Sequence, residues 1–191
     1  MTDSSAPNTG VAKPDTLRLF FALWPDDATR HALNLTGKWL HQHWGGRRMR
    51  ADTLHLTLAF LGNVPTTRLE TLLQGIHDIP VGAFELKLDQ ASHWPHNRIG
   101  WLGLRQPAKP LESLVQALRD QLRTLDFALD ARPHTPHVTL LRHTQSGAAV
   151  ECTPVHWPIN GFVLVASNPH ADGAHYDVVQ QWHITTENES T

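Results

Sequence analysis

The sequence predicts an α+β fold built from two similar halves. Three observations carry this reading. Apolar patterns follow one another as strand, helix, strand, helix, two strands, helix, then strands. That order lacks the regular alternation of a doubly wound parallel sheet. A histidine-apolar-threonine-apolar tetrapeptide also occurs twice, as His55-Leu56-Thr57-Leu58 and, about half a chain later, as His137-Val138-Thr139-Leu140.

Leu17 to Trp24 is a continuous apolar run and reads as a buried first strand. Pro25-Asp26-Asp27 supplies turn and helix-start chemistry, so a helix is expected from Asp26 towards Trp44, with Leu33, Leu40 and Trp44 on one stripe and Gly45-Gly46 as its stop. Leu54 to Leu61 is the first His-x-Thr strand and closes on Gly62-Asn63. Thr66 to His77 sets Leu69, Leu72, Leu73 and Ile76 at helical spacing. Phe84, Leu86 and Leu88 alternate as a strand, and Arg98 to Leu104 makes another after a Trp-Pro turn. Pro110 to Leu125 is the strongest helix, with Leu111, Leu114, Val115, Leu118 and Leu122 in one apolar stripe. A short strand at Phe127 to Leu129 and the second His-x-Thr strand, Val138 to Leu141, come next. Thr144 to Pro158 reads as a loop, and final strands fall within Ile159 to Ser167 and Tyr176 to His183.

The 191 residues suffice for one substantial core or two small lobes sharing an interface. Hydrophobic content of 40% and charge of 18% mark a folded, soluble protein. A formal net charge of −2 argues against a broad cationic surface tracking long nucleic acid, though not against a local patch. One cysteine, Cys152, excludes an internal disulfide and a multi-cysteine zinc site. Residues 1–16 and 187–191 are expected to be flexible tails around a single domain at 17–186. The N-terminal stretch has no apolar run, and nothing in the chain approaches the roughly 20 apolar residues of a membrane helix. The expected setting is the cytoplasm, without membrane contact and as a monomer.

Strand geometry gives the repeated tetrapeptide its meaning. Side chains alternate with a period of two, so within each copy the histidine and threonine share one face while the apolar residues enter the core. A short pattern recurs easily in a chain with 14 histidines, so the weight lies in both copies occupying strand-like runs in matching halves.

With both motifs placed, the chain resembles the 2H phosphoesterase superfamily, and within it the bacterial RNA 2',3'-cyclic phosphodiesterases, also called 2',5' RNA ligases. The likeness runs through Arg18 to Ala22, Leu54 to Gly62, Trp101-Leu102-Gly103, Pro136 to Arg142 and the Tyr176 to Trp182 region. It implies two pseudo-symmetric lobes, each an antiparallel sheet with outer helices, flanking a central cleft. It also implies metal-independent hydrolysis of RNA ends or nucleoside 2',3'-cyclic phosphates to 2'-phosphates, without a cofactor, and a reverse reaction that joins RNA through a 2',5' linkage without ATP. His55 is then the proton donor to the leaving 3'-oxygen and His137 the proton acceptor from water. Neighbouring readings are a phosphodiesterase for another ribose cyclic phosphate or a 2',5'-oligonucleotide, a noncatalytic RNA-end-binding module, and a histidine-ligated metal hydrolase.

The residue types suit the implied chemistry. Ring opening needs one base and one acid, and two imidazoles with ordinary pKa near 6.5 can divide those tasks. Thr57 and Thr139 can donate to nonbridging oxygens as charge develops. Phe60 and Arg142 each lie five residues beyond a histidine, and together can stack on the two faces of a nucleobase. Strict alternation opposes that clamp, because an odd offset turns both side chains away; the competing reading makes Phe60 core and Arg142 solvated. Arg47, Arg48 and Arg50 are either phosphate contacts or a solvated loop. The close pairs His41/His43, His93/His96 and His134/His137 lack the companions of a zinc site, so no metal is expected. Tyr176 and all seven tryptophans are expected to pack rather than to border substrate.

Overall fold

In the computed structural model, which describes residues 15–77, 79, 81–130, 133–145, 147–170 and 173–184, the elements run β1 (Thr16–Leu23), α1 (Asp27–Trp44), β2 (Arg47–Arg48), β3 (Leu56–Pro65), α2 (Leu69–Gly75), β4 (Phe84–Trp94), β5 (Ile99–Gly103), α3 (Lys109–Thr124), β6 (His137–Arg142), β7 (Val150–Ile159), β8 (Gly161–His170) and β9 (Gly173–His183). All strand pairings among them are antiparallel, as the α+β reading requires. The sheet order is β7-β4-β5-β6-β3-β1-β8-β9, with β2 on β6. The two sheet halves, ending in β6 and β3, are hydrogen-bonded through one residue pair, Leu56 with Val138.

Helices tie the halves together. Asp26 caps α1 by accepting from the Thr29 N–H at 2.7 Å, a bond that holds its carboxyl below the usual range. The helix then buries Leu33, Gly37, Leu40 and Trp44 against β6 and β7, strands of the other half. Gly37 permits close approach, since a Cβ there meets that of Leu140 at 3.7 Å. Reciprocally, α3 packs on β3 with α2 beside it. Each helix leading towards a His-x-Thr strand therefore covers the opposite half, and Leu56, Leu58, Val138 and Leu140 are buried in one core with Leu33, Leu118 and Trp157. On the other face of β1 and β8, a small cluster of Phe20, Ala22, Val163 and Val165 supports Trp24 and Tyr176.

Three expected elements change. Phe127 to Leu129 is not a strand: Asp126 has φ 58°, and the Phe127 N–H donates to the Leu122 carbonyl at 2.9 Å, a Schellman end for α3 whose apolar tail resembles a strand in sequence. The expected loop from Thr144 to Pro158 contains most of β7, a sheet-edge strand that buries Val155, Trp157 and Ile159 in alternation. Its two prolines mask the pattern, and an edge accommodates them. The helix expected from Thr66 to His77 is a 3₁₀ turn at Thr66–Arg68 followed by the short α2. Thr16 pairs with Pro65, and the Asp15 carbonyl accepts from Thr66 at 3.0 Å, so the end of the expected N-terminal tail belongs to the sheet. Residues 1–14 and 187–191 lie outside the described residues. No helix among the described residues is long and apolar enough to cross a membrane.

Candidate active site

The Leu56–Val138 pair is the midpoint of the site. It joins the second residue of one tetrapeptide to the second residue of the other, so the antiparallel register sets His55 across from Thr139 and Thr57 across from His137. Opposed residues share a sheet face. Leu56 and Val138 point into the core, and the two imidazoles and two hydroxyls project together on the other side. All four polar residues are partly buried.

Both rings are held the same way. His55 Nδ1 lies 2.8 Å from the Thr53 carbonyl oxygen, and His137 Nδ1 lies 2.7 Å from that of Thr135. A carbonyl only accepts, so each Nδ1 carries the hydrogen and each neutral ring leaves the Nε2 lone pair for chemistry. The repeat is thus longer than a tetrapeptide, running Thr-x-His-x-Thr in both copies, at Thr53 and Thr135. That extra threonine is a visible signal, although its contribution here comes through the backbone.

Aromatic rings surround the imidazoles. His55 is parallel-stacked on Trp24 at 5.8 Å between ring centroids, with Phe20 at 4.8 Å and Tyr176 edge-on at 5.2 Å. His137 meets Trp94 edge-on at 4.5 Å and Trp101 at 6.4 Å. Burial pushes the His55 pKa down to about 4; the Thr53 carbonyl opposes that shift, while His137 and Arg142 reinforce it. His137 is also pushed below its ordinary value by burial, against the pull of the Thr135 carbonyl and with a smaller push from His134. At neutral pH both rings are therefore uncharged in the free protein.

A bulge in each motif strand changes the parity of the residues beyond it. In β3, Ala22 pairs with Thr57 but Phe21 with Ala59, so Leu58 is the extra residue. In β6, Trp101 pairs with Thr139 but Gly100 with Leu141, so Leu140 is the extra residue. Two consecutive buried residues result in each strand, Leu58-Ala59 and Leu140-Leu141. Phe60, opposite Phe20, and Arg142, opposite Ile99, are thereby returned to the face of the histidines. Phe60 is not core: it is 42% exposed, with the Arg18 guanidinium 5.0 Å above its ring. Arg142 is exposed and borders a cavity beside His55.

Known proteins share this architecture. A family model described as LigT like Phosphoesterase matches residues 23–101. The chain is 33% identical to the RNA 2',3'-cyclic phosphodiesterase of Escherichia coli (strain K12), over 88% of this chain and 97% of that protein. The chain belongs to the LigT-like phosphoesterases. A Thermus thermophilus relative with the same printed name is 27% identical over 90% of this chain and 92% of its own length. The crystal structure of E. coli LigT complexed with 3'-AMP superimposes with a TM-score of 0.79 at 32% identity, covering 90% of this chain and 99% of that one.

Within this LigT-like frame, sequence reasoning missed the aromatic lining. Trp157 and Trp44 are core, as expected, but Trp24, Trp94 and Trp101 contact the two imidazoles, and Tyr176 borders His55. Alternation held the signal for Trp101, which lies across from Thr139. His134 was also missed: its Nε2 lies 2.8 Å from the Thr57 carbonyl oxygen. Among the described residues, no three His, Cys, Asp or Glu side chains converge as metal ligands would.

Proposed function

We propose that this chain hydrolyses the terminal 2',3'-cyclic phosphate of RNA to a 2'-phosphate, using His55, His137, Thr57 and Thr139. The observation that carries the reading is the crossing of the two motifs at Leu56 and Val138, which sets two Nε2 atoms and two hydroxyls around one point. The printed names of the relatives support the substrate class.

Neutral His137 takes a proton from water as the oxygen attacks phosphorus. His55, once protonated, delivers a proton to the 3'-oxygen as the P–O3' bond breaks. An imidazole depressed by burial and by the neighbouring Arg142 charge releases its proton readily, which suits the donor role. The substrate's negative charge favours the protonated ring that the free protein disfavours. Thr57 and Thr139 donate to the nonbridging oxygens. Phe60 and Arg142 hold the nucleobase between them, and the bulges supply the orientation this needs. Run in reverse with a 5'-hydroxyl in place of water, the same groups form a 2',5' linkage without ATP.

The test is incubation with a nucleoside 2',3'-cyclic phosphate in the presence of EDTA, with identification of the product isomer. The expected product is the 2'-phosphate. His55→Ala and His137→Ala each lose about 10² to 10⁴ in rate. A 3'-phosphate product reverses the leaving-group assignment, full turnover in either variant removes the site, and loss of activity in EDTA points to a metal.

A further inference from the structure

We propose that the arginine-lined cavity beside His55 is a second phosphate site, which holds the phosphodiester on the 5' side of the reacting nucleotide and makes an RNA chain a better substrate than a free nucleotide. This rests on the hydrolytic reading of the His-x-Thr site. The cavity, of about 320 Å³, is walled by Arg47, Arg50, Thr53, Arg142, His143 and Tyr176 among others. It adjoins the reacting centre, because the Thr53 carbonyl holds the His55 ring and the Tyr176 ring lies 5.2 Å from it.

Charge placement points to an anion. Arg47 of β2 and Arg142 of β6 are direct partners across an antiparallel pair. Like charges in that relationship repel. Among the described residues neither arginine forms an ion pair, and the nearby Asp52 is engaged by Arg50 Nη2 at 2.5 Å. The chain carries a net charge of −2, so this concentration of positive charge is not a reflection of a basic composition.

The backbone forces the juxtaposition. Gly46 has φ 85°, and a Cβ on it lies 2.6 Å from the Arg142 carbonyl oxygen and 3.0 Å from the Thr144 nitrogen. Only glycine lets this turn press β2 onto β6, and β2 consists of Arg47 and Arg48 alone. Guanidinium forks match the paired oxygens of a phosphodiester.

Connectivity selects the direction. An RNA ending in a 2',3'-cyclic phosphate continues only through its terminal 5'-oxygen, so the next phosphate lies on that side. A nucleoside cyclic phosphate has no second phosphate to offer. The site therefore acts on selectivity, leaving the reacting groups untouched.

The experiment compares wild type, Arg47→Gln and Arg47→Lys on a nucleoside 2',3'-cyclic phosphate and on a dinucleotide ending in one. In parallel, affinities are titrated for the corresponding nucleoside and dinucleotide 2'-phosphates. Wild type is expected to favour the dinucleotide by about tenfold in kcat/KM, from one charge-assisted contact. Arg47→Gln loses that preference with mononucleotide turnover unchanged, and Arg47→Lys keeps part of it. Added salt weakens dinucleotide affinity more steeply, by a slope difference of about 0.7. An unchanged preference in Arg47→Gln, or an equal loss on both substrates, overturns the site. If wild type turns over neither substrate, the hydrolytic reading falls; equal affinity for the two 2'-phosphates then removes the second site as well.

Discussion

His134 reaches across the crossing of β3 and β6 and donates its Nε2 hydrogen to the carbonyl oxygen of Thr57 at 2.8 Å. Backbone pairing between these strands is confined to Leu56 and Val138, so this side-chain bond is a second tie between the two halves of the site. His134→Ala is expected to destabilise the fold by about 1 kcal/mol, the net worth of one hydrogen bond. It also loosens the placement of Thr57, so kcat falls more than KM rises. His134→Gln, which retains an N–H donor, recovers part of both in thermal unfolding and steady-state kinetics. Equal behaviour of the Ala and Gln variants shows that the bond contributes nothing.

Activity should depend on pH differently in the free and bound enzyme. With the His55 pKa near 4 and that of His137 also below its ordinary value, the charged-acid, neutral-base form of the free protein is most populated below pH 6.5. Both limbs of the kcat/KM profile are expected there. The bound phosphate's negative charge raises both imidazoles, so the kcat profile moves to higher pH. Coincident profiles, or a kcat/KM optimum above pH 7, contradict this account.

The same depression makes a stability prediction with a definite sign. Between the unfolded value of about 6.5 and the folded value of about 4, the unfolded His55 binds a proton that the folded one refuses. Stability conferred by its neutral burial is complete above pH 6.5 and is lost as pH falls towards 4. Denaturant unfolding of wild type should therefore lose stability over that window faster than His55→Gln, which lacks the group. Parallel curves for the two proteins place the depression elsewhere.

The motif residues were legible because strand parity links His55 to Thr57 and His137 to Thr139 whatever the rest of the chain does. The antiparallel α+β class was legible in the order of elements. Phe60 and Arg142 were harder, because strict alternation turns an odd offset away from the histidines. Their trace is present in sequence: Leu58-Ala59 and Leu140-Leu141 are doubled apolar positions where alternation calls for one, as a bulge within a half-buried strand requires. β7 was obscured by Pro154 and Pro158, which only an edge position explains, and pairing order is a long-range property. The aromatic surround of His55 was equally hidden, since Trp24 and Tyr176 come together through the neighbouring strands β1, β8 and β9.

The restored parity makes the base clamp testable. If Phe60 and Arg142 hold the nucleobase, Phe60→Ala should weaken binding of a nucleoside 2',3'-cyclic phosphate by about 1 to 3 kcal/mol, the usual worth of one stacking partner. That appears as a KM raised about fivefold or more. Arg142→Ala should raise KM similarly and also shift the His55 pKa upward, because the guanidinium charge no longer opposes protonation. The discriminating measurement uses a ribose 2',3'-cyclic phosphate without a base. Phe60→Ala should leave its turnover unchanged, whereas a ring that merely supports the strand lowers turnover of both compounds together. Because Phe60 is exposed and carries Arg18 above it, Phe60→Leu keeps apolar cover for the strand while removing the π face. Loss of affinity in that variant, with its melting temperature unchanged, ties the effect to stacking.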